Sequence, residues 1–182
     1  CIASDTVENS PATWVEFTTK KSDISDDAKG TLAGYTGVYD GNPHDAITGA
    51  AQTGYTVEYS TTDAASGFSG TMPKVTNVAD SKTVWVKLSK TGHEDKVFEM
   101  TATVAAKSIS GAVITYGTQK TYNGTEQSVQ IASVKDGGVP LIATIDYTII
   151  ESGNKATDVG NNTLVIEGKG NYKGQARATW SL

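Results

Sequence analysis

The chain has 182 residues, 37% of them hydrophobic, and a formal net charge of -5. The acidic balance, with lysine and arginine scattered and never in a run, argues against a nucleic-acid partner, which needs a basic patch. No apolar run approaches the roughly 18 residues that span a bilayer, and no signal peptide is present, as expected of a mature fragment.

Taken in order, Cys1 to Pro11 is a polar lead-in without periodicity. Cys1 is the only cysteine, so no intrachain disulfide can form. It has two readings, a cut inside a longer array or the lipid-modified first residue of a lipoprotein. Thr13 to Thr19 reads as a strand, with Trp14, Glu16 and Thr18 on one face. Lys20 to Lys29 is an Asp-rich connector. Asp23, Asp26 and Asp27 offer oxygen ligands for calcium, but their spacing lacks the ordered positions, glycine and closing glutamate of an EF-hand loop. A solvated acidic linker is the preferred reading. Residues 1–29 are thus a lead-in, and a first unit is expected over 30–107.

In that unit, Tyr39-Asp40-Gly41-Asn42-Pro43 predicts a packed tyrosine followed by a tight turn. Tyr55 to Ser60 predicts a strand, and Thr61 to Pro73 a long Ser/Thr/Ala/Gly loop with Phe68 alone in its middle. Thr83 to Leu88 alternates, placing Val84, Val86 and Leu88 opposite Trp85 and Lys87. Val97 to Val104 alternates too, with Phe98, Met100, Ala102 and Val104 together. Lys107 to Ser110 holds no flexible tether, so a short, stiff joint is expected. A second unit follows over 108–182, with strands near Ala112–Tyr116, Ser128–Val134, Ile145–Ile150, Thr163–Glu167 and Gln175–Trp180, punctuated by glycine and asparagine turns.

The second unit echoes the first. Tyr39-Asp40-Gly41 returns as Tyr122-Asn123-Gly124, and Tyr55 to Tyr59 as Tyr147 to Glu151. Val75-Thr76-Asn77-Val78 returns as Ala156-Thr157-Asp158-Val159, and Thr83 to Val86 as Thr163 to Ile166. Gly92-His93 answers to Asn171-Tyr172. Ala12-Thr13-Trp14 further matches Ala178-Thr179-Trp180, which makes the lead-in strand the tail of a preceding repeat or an addition to the first unit. Asn123 keeps the turn of Asp40 but drops its charge, so a geometric role for the motif is preferred to a metal or catalytic one. With no sustained helical period, the pattern predicts an all-β chain of two tandem small antiparallel β-sandwiches.

Tyr39 to Asp45, Tyr55 to Thr61 and Gly92-His93-Glu94-Asp95 resemble the YDG-type repeats of bacterial surface proteins. Tyr122-Asn123-Gly124, Asp146-Tyr147-Thr148 and Gly168 to Gly174 resemble the related MBG-type repeats. The resemblance covers roughly residues 30–182. It implies immunoglobulin-like modules strung in tandem on large secreted, wall-anchored or lipid-anchored adhesins at the bacterial cell surface, with neighbouring repeats as partners. His93 stands where that pattern has an aromatic such as Tyr172, which would weaken packing at the end of the first unit.

No catalytic constellation is legible. The two histidines, His44 and His93, fall in different loops, and there is no nucleophile elbow, zinc-ligand pair or phosphate loop. The expectation is a non-enzyme without cofactor or metal, a structural stalk. The alternative is an adhesin module holding a host glycan or protein, for which Trp85, outward of the core, and Phe68 are the candidates. Trp14 and Trp180 are expected in the core. Lysines in linkers and strand edges, and asparagines in turns, predict no Lys–Asn cross-link.

Overall fold

In the computed structural model of the chain, residues 19–118, 120–150 and 153–182 are described. Trp14, Cys1 and nearly all of the strand expected at Thr13 to Thr19 lie outside them. The expected all-β class holds. The helical elements described are two 3-10 turns, Asp26–Lys29 and Val78–Asp80, with Gly153 also in 3-10 conformation. No helix among the described residues is long and apolar enough to cross a membrane.

The strands before residue 106 are β1 (Ala33–Gly34), β2 (Thr36–Val38), β3 (His44–Asp45), β4 (Ile47–Thr48), β5 (Thr56–Ser60), β6 (Lys74–Val75), β7 (Lys82–Ser89) and β8 (Lys96–Ala105). They form a four-stranded sheet in the order β2-β8-β7-β5 and two small pairs, β1-β4 and β3-β6. Alternation on β7 is complete: Val84, Val86 and Leu88 are each 0% exposed. They meet Met100, Ala102 and Val104 of β8, Ile47 and Val75 from the two small pairs, and Ala46 between β3 and β4, in one buried cluster. Gly34 marks a change of partner. Ala33 and Gly34 pair with β4, whereas Thr36 to Val38 run parallel to β8.

After residue 106 come β9 (Lys107–Ser108), β10 (Val113–Tyr116), β11 (Gln127–Ser128), β12 (Ile131–Asp136), β13 (Val139–Pro140), β14 (Tyr147–Ile149), β15 (Lys155–Ala156), β16 (Asn161–Gly168), β17 (Tyr172–Lys173) and β18 (Gln175–Ser181). Two three-stranded sheets, β14-β16-β18 and β10-β12-β13, accompany the pairs β11-β15 and β9-β17. Leu164 and Ile166 of β16, Ala176 and Trp180 of β18, and Ile114 and Val134 from the other sheet share a second buried cluster. Trp180, expected in the core, is buried, and its Nε1–H donates to the Gly153 carbonyl at 2.9 Å.

Three details differ from the sequence expectation. Lys20 to Lys29 is not uniformly solvated: Ile24 and Ala28 are buried in the first cluster, while Asp26 reaches out to Lys96 at 2.8 Å. The single strand expected over Ser128 to Val134 is two strands. Its start pairs with β15 and its end with β10, and the change falls where the Val129 amide donates to Asn154 and Gln130 accepts from Gly117. Finally, Tyr147 does not take the place of Tyr55. Ile149 lies opposite Ile166 as Tyr59 lies opposite Val86, so Tyr147 corresponds to Val57, a two-residue shift that preserves which face each side chain takes.

Candidate functional site

The tyrosine-led turn is built alike in both halves. Gly41 and Gly124 sit at φ 82° and 77°, a region that a Cβ disfavours. Asp40 Oδ1 accepts from the Asn42 amide at 2.9 Å and lies 3.0 Å from His44 Nε2. Asn123 Oδ1 accepts from the Thr125 amide and from Gln127 Nε2, each at 3.1 Å. His44 is further held by stacking on Tyr35, centroids 4.5 Å apart. His44 and Gln127 then open β3 and β11, which pair with β6 and β15 in matching register. The side-chain oxygen thus closes the turn and fixes where the next strand begins.

The Asn42 amide, and then the His44 ring, hold the Asp40 carboxyl down at about 2, against an ordinary 3.8. Asp26, Asp63 and Asp80 are also held below the ordinary range, by Lys96 for the first and by backbone amides for the other two. A depressed carboxylate contributes stability above its unfolded pKa and loses it as pH falls through the folded one. Acid from pH 4 towards about 2 is therefore expected to loosen the Asp26–Asp80 region. Asp40→Asn keeps the acceptor, as Asn123 does, and is expected to flatten part of that acid dependence. Melting curves over this range check it, and an unchanged pH dependence in Asp40→Asn would refute it.

The two halves meet where the first turn touches the hairpin around β17. Tyr39 packs against both clusters and lies edge-on to Tyr172, centroids 5.5 Å apart. Asn171 makes a two-way bond: its Oδ1 accepts from the Val78 amide and its Nδ2 donates to Asn77 Oδ1, both at 2.9 Å. β9 runs parallel to β17, with the Lys107 amide donating to the Asn171 carbonyl and Ile109 to that of Lys173. Lys107 Nζ lies 2.7 Å from Asp136, which is 8% exposed, and this carboxylate raises the Lys107 pKa. Burial pushes the Tyr172 phenol up. His93 occupies the place of Tyr172 in the first half, with the same parallel backbone pairing but a different side-chain contact. Its Nδ1 contacts the Thr91 carbonyl at 3.1 Å, and it bridges in parallel to Ser22.

Trp85 and Phe68 lie on the same outer face of the β5-β7-β8 sheet. Trp85 is half-buried, opposite Ser60 on one side and Glu99 on the other. The loop folds back so that Ser69 pairs with Tyr59, which brings Phe68 beside Ser60. Lys87, on the same face, sits 4.8 Å above the Phe68 ring and 2.7 Å from Glu58. The loop itself is ordered by Asp63, whose Oδ1 accepts from the Ala65 and Ser66 amides, and by the Ser60 hydroxyl, which accepts from Thr62. Sequence reasoning named both aromatics but not that they share a face, because the fold-back rests on one short bridge inside a loop. It missed the Asn77–Asn171 pair altogether, since asparagine in a turn has a sufficient local explanation.

Asp23, Asp26 and Asp27 do not converge: among the described residues no group of three or more His, Cys, Asp or Glu side chains is placed to hold a metal ion. A scan against protein-family models finds no match to this chain, and a search of curated proteins finds none either.

Proposed function

We infer that this chain is a pair of tandem immunoglobulin-like β-sandwich units from the stalk of a bacterial surface protein, acting as a non-catalytic spacer. The observation that carries the reading is the joint. A spacer has to hold its units at a fixed angle, and here a reciprocal side-chain and backbone bond (Asn171 with Asn77 and Val78), an aromatic contact and a parallel strand pair converge on one short linker. Supporting it further are the matched turns at Asp40 and Asn123, and the matched pairs of strands that follow them. Surface localisation and immunoglobulin-like topology rest on the sequence resemblance.

The test is mechanical independence. Asn171→Ala removes both bonds and leaves the Val78 amide and Asn77 Oδ1 without this partner, a cost of about 1–3 kcal/mol at a part-buried site. NMR relaxation is expected to show one tumbling body in the native chain and two more loosely coupled ones in the variant. Independent tumbling of the halves in the native chain would remove the spacer reading.

A second reading, an adhesin module for a glycan or protein, is favoured by Phe68 and Trp85 sharing one outer face. Against it, Lys87 is already engaged by Phe68 and Glu58. A glycan array is expected to give no saturable binding. Saturable binding lost in Trp85→Ala would transfer the assignment to this reading.

A further inference from the structure

The parts of the surface by which the first half holds the second have counterparts by position in the second half, although the 3-10 turn that Val78 opens is not repeated there. Those parts are the turn tyrosine Tyr39 and the dipeptide Asn77-Val78, which follows β6. Tyr122 corresponds to Tyr39 through the shared turn bonds, with Gly41 and Gly124 at the same kind of φ. β15 corresponds to β6 through the shared register, His44 opposite Val75 and Gln127 opposite Ala156. Counting on from those strands places Asp158 at the position of Asn77 and Val159 at that of Val78. The chemistry carries over: Asp158 offers an oxygen acceptor where Asn77 does, and Val159 an amide donor where Val78 does.

What differs is cover. Tyr39 is half-buried against Tyr172, whereas Tyr122 is 52% exposed and Val159 is 70% exposed. Tyr122 and Val159 are thus large apolar side chains open to solvent at the positions whose first-half counterparts are engaged.

We propose that the Tyr122, Asp158 and Val159 face is a docking surface for a further unit of the second kind, one that presents an asparagine and a tyrosine as Asn171 and Tyr172 do. This rests on the spacer reading and adds partner identity to it. The first kind of unit does not qualify. At the corresponding tip it carries Gly92, which has no carboxamide to bond both the acceptor and the amide, and His93, whose ring nitrogen contacts Thr91 of its own turn. The hairpin dipeptide thereby selects which unit can follow.

The experiment appends a copy of residues 105–182 after Leu182, since Leu182 occupies the register position of Val104. Amide exchange at Val159 is expected to slow about tenfold or more relative to the 182-residue chain. It should return to the original rate when Tyr122→Ala is introduced, or when the added copy carries glycine and histidine at its counterparts of Asn171 and Tyr172. A folded added copy with unchanged Val159 exchange would overturn the proposal, and so would an added copy that stays unfolded, because docking should stabilise it. In the chain without the addition, Tyr122→Ala is expected to leave the melting temperature unchanged. A loss comparable to that of Tyr39→Ala would mark Tyr122 as core and also overturn the proposal. Asn171→Gly in that chain, with exchange followed at Val78, separates the two failures. If Val78 is released there while Val159 stays unprotected in the extended chain, only the docking proposal falls; if Val78 is indifferent to Asn171, the spacer reading falls with it.

Discussion

Ile109→Ala is expected to destabilise the second half by about 2–5 kcal/mol, the usual cost of emptying a fully buried aliphatic site. Ile109 is 0% exposed and lies just past β9, with its amide bonded to the Lys173 carbonyl. The side chain anchors the linker from inside the second cluster. The variant therefore loses core volume and loosens the strand that carries Lys107 to Asp136. Chemical denaturation followed at Trp180 fluorescence, which reports from the same cluster, should show the transition moving to lower denaturant. A change within about 0.5 kcal/mol, the range of exposed positions, would contradict this placement.

Gly34→Ala is expected to be of similar severity, for a different reason. A Cβ at Gly34 would lie 2.0 Å from the Thr101 carbonyl oxygen, a backbone atom of β8 that cannot rotate away. The glycine is needed because the chain crosses there from β4 to β8, and the crossing brings two backbones together. Relief demands that β1 lift away, which costs about 1–3 kcal/mol or more by overpacking and weakens two pairings at once. Gly54→Ala makes a useful contrast, since nothing lies within 4 Å of a Cβ there and the penalty reduces to its positive φ of 90°. The melting temperature of Gly34→Ala should fall well below that of Gly54→Ala.

The long strands were legible because one face of each is buried. Val84, Val86 and Leu88 alternate with polar or outward residues, and so do Leu164 and Ile166. The two-residue strands were not, since a pair such as His44–Asp45 or Lys155–Ala156 is too short for a period of two to register. Ile24 and Ala28 were hidden by the aspartates around them: a 3-10 turn buries one side of an otherwise charged segment. The bend of the turn motif was legible from Asp40, Gly41 and their counterparts, but the packed tyrosine expected of it is found at Tyr39 and not at Tyr122, which is 52% exposed. The extension of the motif into a joint was not legible, because Asn77 and Asn171 are far apart in sequence and neither belongs to a periodic pattern.

The parallel run of β2 along β8 has a consequence for a chain under tension. Thr36 to Val38 lie near the start of the first half and their partners Thr103 to Ala105 at its end. Pulling on the two ends draws these strands in opposite directions along their own axes. The hydrogen bonds between them are then strained sideways and together, so no single bond can open ahead of the others. β9 stands in the same relation to β17, one half further on. Each half thus meets an axial pull with a clasp that must slip as a unit, while the hairpin ends, which would peel bond by bond, are left out of the line of force.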